Sequence, residues 1–203
     1  MTTAKELVAG MRMSISEFLD WPEPEDKPIL ELDDGILYAA PRPGIAHQSA
    51  LGGLMYCFLN HLDDFDPPPA EIWHPGAAIL SRDLSRVAMP DFAVVLRERA
   101  GIVVDACIEG APDIVVEIID MDRNRDRDLI LKRQWYAEAG VPEYWIIDVL
   151  YNRVLQLELR DGVYVERGVL TADDTLTTPL LPGLEIPLGR IFCHRDRPRF
   201  VRK

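Results

Sequence analysis

The stretch from Ala111 to Val149, APDIVVEIIDMDRNRDRDLILKRQWYAEAGVPEYWIIDV, constrains the fold more than any other part of the chain. Ile114 to Ile119 is an apolar run interrupted only by Glu117, and Tyr144 to Val149 is apolar apart from Asp148. Between them, Asp122 to Ala139 is charged and helical in pattern, and Gly140-Val141-Pro142 ends it. The order is therefore strand, helix, turn, strand. Glu117 sits inside the first strand and Lys132 on the helix that follows. A charge buried there without a partner is strongly unfavourable, so Glu117 calls for a counter-charge or a chemical task.

The flanking sequence supplies further elements. Ser14 to Leu19 predicts a short helix capped by Ser14 or Ser16. Ile29 to Leu32, the turn Asp33-Asp34-Gly35 and Ile36 to Ala39 predict a β-hairpin with Glu31 in its first strand. From His47 to Leu62 the apolar residues recur at helical spacing, with His47 and Gln48 on the first turn. Glu71 to Leu80 reads as one bent strand or two short ones around Pro75-Gly76, and Phe92 to Leu96 as a strand with Asp91 at its start. Val154 to Leu159 and Val163 to Val165 predict a second hairpin. Leu170 to Thr178 reads as an outward loop, Leu184 to Leu188 as a last edge strand, and Gly189 to Cys193 as a helical turn. With no internal repeat, the simplest partition is one α/β domain over residues 14–194, with terminal arms at 1–13 and 195–203.

Bulk properties exclude several classes. No apolar run reaches 18 residues, so no membrane-spanning helix is expected, and the N-terminus lacks a signal-peptide core. A cytoplasmic location follows as the default. Cys57, Cys107 and Cys193 are scattered without CxxC spacing, which argues against a disulfide scaffold and structural zinc. The net charge of -12 opposes nucleic acid at long range unless a local basic patch overcomes it.

Three carboxylates stand in or beside apolar strands: Glu31, Asp91 and Glu117. If the strands of Asp91 and Glu117 are neighbours, roughly 5 Å apart, the two acids can share one divalent cation. Oxygen ligands of this kind favour Mg²⁺ or Mn²⁺, and a nearby lysine can hold water or offset charge on a phosphate. Each residue also has a plainer reading. Asp91 after Pro90 fits a turn, Glu117 fits an arginine ion pair, Glu31 before the turn fits a solvated strand, and Lys132 fits a solvated helix face. Trp135, Tyr136, Tyr144 and Trp145 read as packing residues.

AGVPEYWIIDV, preceded by Lys132 and Tyr136, resembles the Uma2 family of putative restriction endonucleases. Glu31-Leu32-Asp33-Asp34-Gly35 resembles its hairpin, His47-Gln48 its helix start, Pro90-Asp91 its PD, and Pro112 to Ile118 its PDLVVEV strand. The resemblance implies a restriction-endonuclease-like α/β fold of the PD-(D/E)xK superfamily: a central mixed β-sheet flanked by helices, with β-hairpins. It implies Asp91 and Glu117 as ligands for Mg²⁺ or Mn²⁺, and Lys132, Glu31 and Gln48 as catalytic residues. The superfamily's usual lysine position is occupied by Ile119, and Lys132 on the next helix matches the migrated lysine. The chain departs from the family at Asp120-Met121-Asp122-Arg123, where a serine–proline turn is normal, and the segment up to Lys132 is one residue longer. The expected function is a metal-dependent nuclease acting on nucleic acid, DNA foremost. The alternative is a catalytically inactive binding or regulatory protein of the same fold. A homodimer through the apolar strands of residues 144–165 is a further expectation.

Overall fold

The computed structural model describes residues 9–21, 29–40, 42–105, 107–121 and 125–192. Helix α1 (Ile15–Leu19) starts at a capping box in which the Ser14 side chain accepts from the Glu17 amide and Glu17 reaches back to the Ser14 amide. Strands β1 (Ile29–Asp33) and β2 (Ile36–Ala40) form the expected hairpin. Its tight turn holds Asp34 at φ 49° and Gly35 at φ 69°, a left-handed backbone that Asp and Gly tolerate best. The expected N-terminal arm is docked from Gly10 onward, with the Gly10 and Met13 amides donating to the carbonyls of Leu37 and Gly35. Residues 1–8 and 195–203 lie outside the described residues.

Helix α2 (Ile45–Asp63) begins two residues before the apolar pattern does, and buries Ala50, Leu51, Leu54, Cys57, Phe58 and Leu62 on one side. Beyond it the chain alternates between two sheets. Pro75-Gly76 separates β3 (Ala70–Trp73) from β4 (Ala77–Ser81), and Met89-Pro90-Asp91 separates β5 (Arg86–Ala88) from β6 (Phe92–Leu96). Proline has no N–H for a ladder, so each break frees the chain to change sheets. Next come β7 (Val103–Val104), β8 (Cys107–Glu109) and β9 (Ile114–Ile119). A π-helical turn, Arg127–Lys132, then runs into helix α3 (Arg133–Ala139). Gly140 ends that helix at φ 86°, and β10 (Glu143–Asp148), β11 (Arg153–Arg160) and β12 (Val163–Thr171) follow.

One six-stranded sheet has the order β2-β1-β5-β4-β8-β7, and the other β12-β11-β10-β9-β6-β3. In the second, β9 and β10 are parallel and the remaining pairs antiparallel, giving a mixed sheet flanked by helices. The two-residue period of β9 sends Ile114, Val116 and Ile118 toward α2, with Phe58, Phe92 and Trp145. Val115 and Ile119 point the other way, toward Trp135, Tyr136 and Tyr144. Glu117 shares that second face by the same alternation.

Two expectations change. The second strand of the last hairpin runs nine residues to Thr171, and the segment after it packs inward. Leu176, Leu181, Leu184, Ile186 and Leu188 are all buried against α2 and the sheet. Leu176 lies in β13 (Thr175–Leu176), which pairs with β14 (Ile186–Pro187), ahead of a single turn, α4 (Leu188–Ile191). The polar residues of 170–178 hid Leu176, the buried apolar anchor among them. In addition, β10 lies between β9 and β11, and β11 between β10 and β12, so a dimer through residues 144–165 has only the outer edge of β12 for strand pairing.

Candidate active site

The site forms where the chain passes from one sheet to the other. Antiparallel pairing of Phe92 with Val116 carries the register on to Asp91 beside Glu117. Asp91 Oδ2 accepts the Ile118 amide at 2.7 Å, which holds its carboxylate against β9 next to Glu117. The spatial proximity required of the two acids is therefore present.

Lys132 reaches the same place from the π turn. Its Nζ lies 2.9 Å from Glu117 Oε1, 2.9 Å from Glu31 Oε1 and 3.5 Å from Asp128 Oδ1. Lys132 is 6% exposed, Glu31 1%, Glu117 2% and Asp128 7%, so the whole group is withdrawn from water. The plain readings of Glu31 and Lys132 as solvated residues do not describe this packing. The β1–β2 hairpin lies over the π turn, and Glu31 becomes a bridge between them. Its Oε2 accepts Arg127 Nε at 3.0 Å and Nη2 at 2.7 Å, while Oε1 accepts the Met89 amide at 3.2 Å. Arg127 in turn stacks between Tyr38 and Trp135, 4.5 and 5.0 Å from their ring centroids.

Two side chains carry more than the sequence reading gave them. The Tyr136 hydroxyl donates to Glu117 Oε1 at 2.6 Å, so this core aromatic also orients the acid. His47 Nε2 lies 2.9 Å from Asp91 Oδ2, and its Nδ1 is buried with no hydrogen-bond partner among the described residues. The position of His47 at the helix start was the available signal; the partner was not visible. Gln48 is exposed on the same turn and does not line the cleft. The cleft, of about 50 Å³, is bounded by Glu31, His47, Asp91, Glu117, Asp128 and Lys132, with Asp120 and Arg127 at its wall.

The electrostatics follow from crowding acids around few cations. Burial lowers the proton affinity of Lys132, but Glu117, Glu31, Asp128 and Asp91 outweigh it and hold the ammonium form well above its usual range. Burial pushes Glu117 well above the carboxylate range; Lys132 opposes this, while Asp91, Asp128 and Glu31 add to it. Glu31 goes the other way, because Lys132 and Arg127 together outweigh its burial. Asp128 is pushed up to about 6 by burial. For His47, burial is outweighed by the hydrogen bond to and charge of Asp91, so its proton is held more firmly than usual.

The donor set fits a hard divalent cation. Both bonds to Glu117 fall on Oε1 and both to Asp91 on Oδ2, so Glu117 Oε2 and Asp91 Oδ1 take no hydrogen bond among the described residues. A cation between them would also relieve the repulsion that raises Glu117. Among the described residues no group of three His, Cys, Asp or Glu side chains is arranged to hold a metal. Two carboxylates with the rest of the shell left to water and substrate is the pattern of Mg²⁺ rather than of zinc or a calcium cage.

A crystal structure described as a putative nuclease belonging to DUF820, from Anabaena variabilis ATCC 29413, superposes with a TM-score of 0.68 at 20% identity, covering 89% of this chain and 98% of that one. At that identity the likeness shows a shared fold. No curated protein matches the chain. Residues 15–189 match the model of Uma2, described as "Putative restriction endonuclease", and the chain belongs to that family.

Proposed function

We propose that this chain is a metal-dependent nuclease that hydrolyses phosphodiester bonds of nucleic acid, with DNA as the foremost substrate. The observation that carries the reading is a buried ammonium 2.9 Å from Glu117, with Asp91 at the adjoining strand position. Asp91 and Glu117 would hold Mg²⁺ or Mn²⁺, which supplies Lewis-acid polarisation of a phosphoryl oxygen. Tyr136 and Lys132 fix Glu117 through Oε1 and leave Oε2 for the cation. Lys132 has three N–H donors, and the contact with Asp128 at 3.5 Å is the long one. That third donor is the one available to a water or a phosphoryl oxygen, whose developing charge the ammonium offsets. Glu31, itself held by Arg127, keeps Lys132 in place. No role in the chemistry follows for Gln48 from its exposed position.

One observation favours the rival reading of a non-catalytic binding or regulatory protein on this fold: His47 already occupies Asp91 Oδ2. Calorimetric titration with MgCl₂, run on the native protein and on Glu117→Gln, separates the two. The nuclease reading expects metal binding and Mg²⁺-dependent DNA cleavage, both lost in E117Q. A native protein that binds no Mg²⁺ at millimolar concentration and cleaves neither DNA nor RNA would overturn it.

A further inference from the structure

Arg127 stands at the cleft wall with only part of its hydrogen-bonding capacity spent. An arginine carries five N–H donors on one rigid plane. Nε and one N–H of Nη2, along one side of that plane, go to Glu31 Oε2 at 3.0 and 2.7 Å. The end of the group, made of Nη1 and the second N–H of Nη2, takes no hydrogen-bond partner among the described residues. That end is a second fork, and a fork of this kind fits two oxygens of one phosphate. The side chain lines the cleft and is 20% exposed.

The orientation of this fork is set in advance. Tyr38 pairs in register with Glu31 across the β1–β2 hairpin, so the two side chains leave the same face of it, and both meet Arg127. The guanidinium carbon lies 4.5 Å from the Tyr38 ring centroid and 5.0 Å from that of Trp135. Two rings and a carboxylate hold the group, so less side-chain entropy is lost when a ligand binds it. The charge also stands where an anion needs it. The chain carries a net charge of -12, and Glu31, Asp91, Glu117, Asp120 and Asp128 all line the cleft. A polyanion enters such a place only beside a local cation. Lys132 is shared among three carboxylates and is 6% exposed, whereas Arg127 is bound to Glu31 alone and is more open.

We infer that Arg127 is a substrate-binding residue: its free end grips two oxygens of a backbone phosphate in the cleft while its side keeps Glu31 in place, the substrate class resting on the nuclease reading. Fluorescence anisotropy with short labelled single-stranded and duplex DNA, in EDTA and in CaCl₂ at several salt concentrations, separates contact from support. Arg127→Gln is expected to weaken binding roughly threefold to tenfold and to flatten the plot of log affinity against log salt by about 0.7–0.9, the value of one lost phosphate contact. Glu31→Gln breaks the same ion pair from the other side, removes a negative charge from the cleft and leaves the guanidinium. It is expected to bind DNA at least as tightly as the native protein, with the native slope. An arginine that acted only by holding Glu31 would make both variants weaken binding alike. Should R127Q not fold, Arg127→Lys takes its place; it keeps a counter-charge for Glu31, has no second fork, and is expected to bind at least threefold more weakly. Arg97→Ala is the control; Arg97 is exposed beyond the opposite end of β6 from Asp91 and is expected to change nothing. Native protein that binds neither DNA in either buffer would overturn the subsite. So would native affinity in the Arg127 variant, an equal loss in E31Q, or an equal loss in R97A. Native protein that binds through Arg127 but never cleaves with Mg²⁺ removes the nuclease reading and leaves the subsite standing. An active nuclease whose DNA binding is indifferent to Arg127 does the reverse.

Discussion

Replacing Lys132 with methionine tests the centre of the site. Methionine keeps much of the stem's volume and removes the charge. In the native protein the ammonium lies 2.9 Å from both Glu31 and Glu117 and 3.5 Å from Asp128, and all four side chains are buried. Removing one partner of a buried ion pair costs about 3–5 kcal/mol, because the charge left behind is not returned to water. Arg127 still neutralises Glu31 in the variant, so the lower end, about 3 kcal/mol at pH 8, is expected. The pH dependence is the sharper signature. Without the ammonium, Glu117 holds its proton more tightly still. A carboxylate whose native pKa is raised contributes stability that is full below its unfolded pKa and lost as pH rises through the native one. Each pH unit over which the variant's native state binds one proton more than the native protein's changes the gap by about 1.4 kcal/mol. Lowering the pH from 8 to 6 is therefore expected to shrink the penalty. Urea denaturation of both proteins in EDTA at the two pH values measures it. A penalty under about 1 kcal/mol at pH 8, the scale of an exposed pair, refutes the reasoning. So does a penalty that grows as the pH is lowered.

Asp128 gives a second pH signature. Its pKa is raised from 3.8 to about 6, chiefly by burial, so its contribution to stability is present below about 4 and lost as pH climbs through 6. Asp128→Asn should remove up to about 3 kcal/mol of pH dependence between pH 4 and pH 7, read from denaturation curves across that range; an unchanged slope counts against it. Tyr136→Phe deletes the 2.6 Å bond to Glu117 and is expected to cost about 1–2 kcal/mol of stability. If that bond also aims Glu117 at a cation, calorimetry will show Mg²⁺ affinity falling by about tenfold, whereas unchanged affinity would make the bond purely structural.

Glu117 was legible because a charge in the run Ile114 to Ile119 contradicts its surroundings, and the strand–helix–strand order followed from hydrophobic period alone. Glu31 was not legible from spacing. Its strand alternates like an exposed hairpin, and its burial comes from the π turn, 96 residues away along the chain for Arg127. Nothing local in a sequence records that a distant helix will cover a hairpin. Tyr136 was hidden for a different reason. Its ring belongs to the core by its spacing, and a core aromatic gives no sign of where its hydroxyl ends up. The stretch 170–178 misled because its threonines and aspartates read as a solvated loop, while Leu176 among them packs into the core.

Asp120 and the π turn, between β9 and α3, look at first like intrusions on the site, and their geometry argues otherwise. Asp120 Oδ2 accepts the Gly44 amide at 2.7 Å, at the start of α2, where unpaired amides and the helix dipole favour a carboxylate. A Cβ on Gly44 would stand 2.7 Å from that same oxygen, so the approach depends on glycine. The chain enters helix α3 through the π turn at Arg127–Lys132. A π turn closes its hydrogen bonds i→i+5 instead of i→i+4 and so holds one more residue than an α turn. The same residue carried in α-helical geometry would rotate what lies beyond it by about 100°, taking either Lys132 or the Trp135–Tyr136 pair off the sheet. With the π turn, Lys132 and Tyr136 both reach Glu117 Oε1, while Trp135 stays in the core below them. Asp120 and the π turn thus leave the site intact: the carboxylate is taken up at the start of α2, and Lys132 and Tyr136 are both delivered to Glu117.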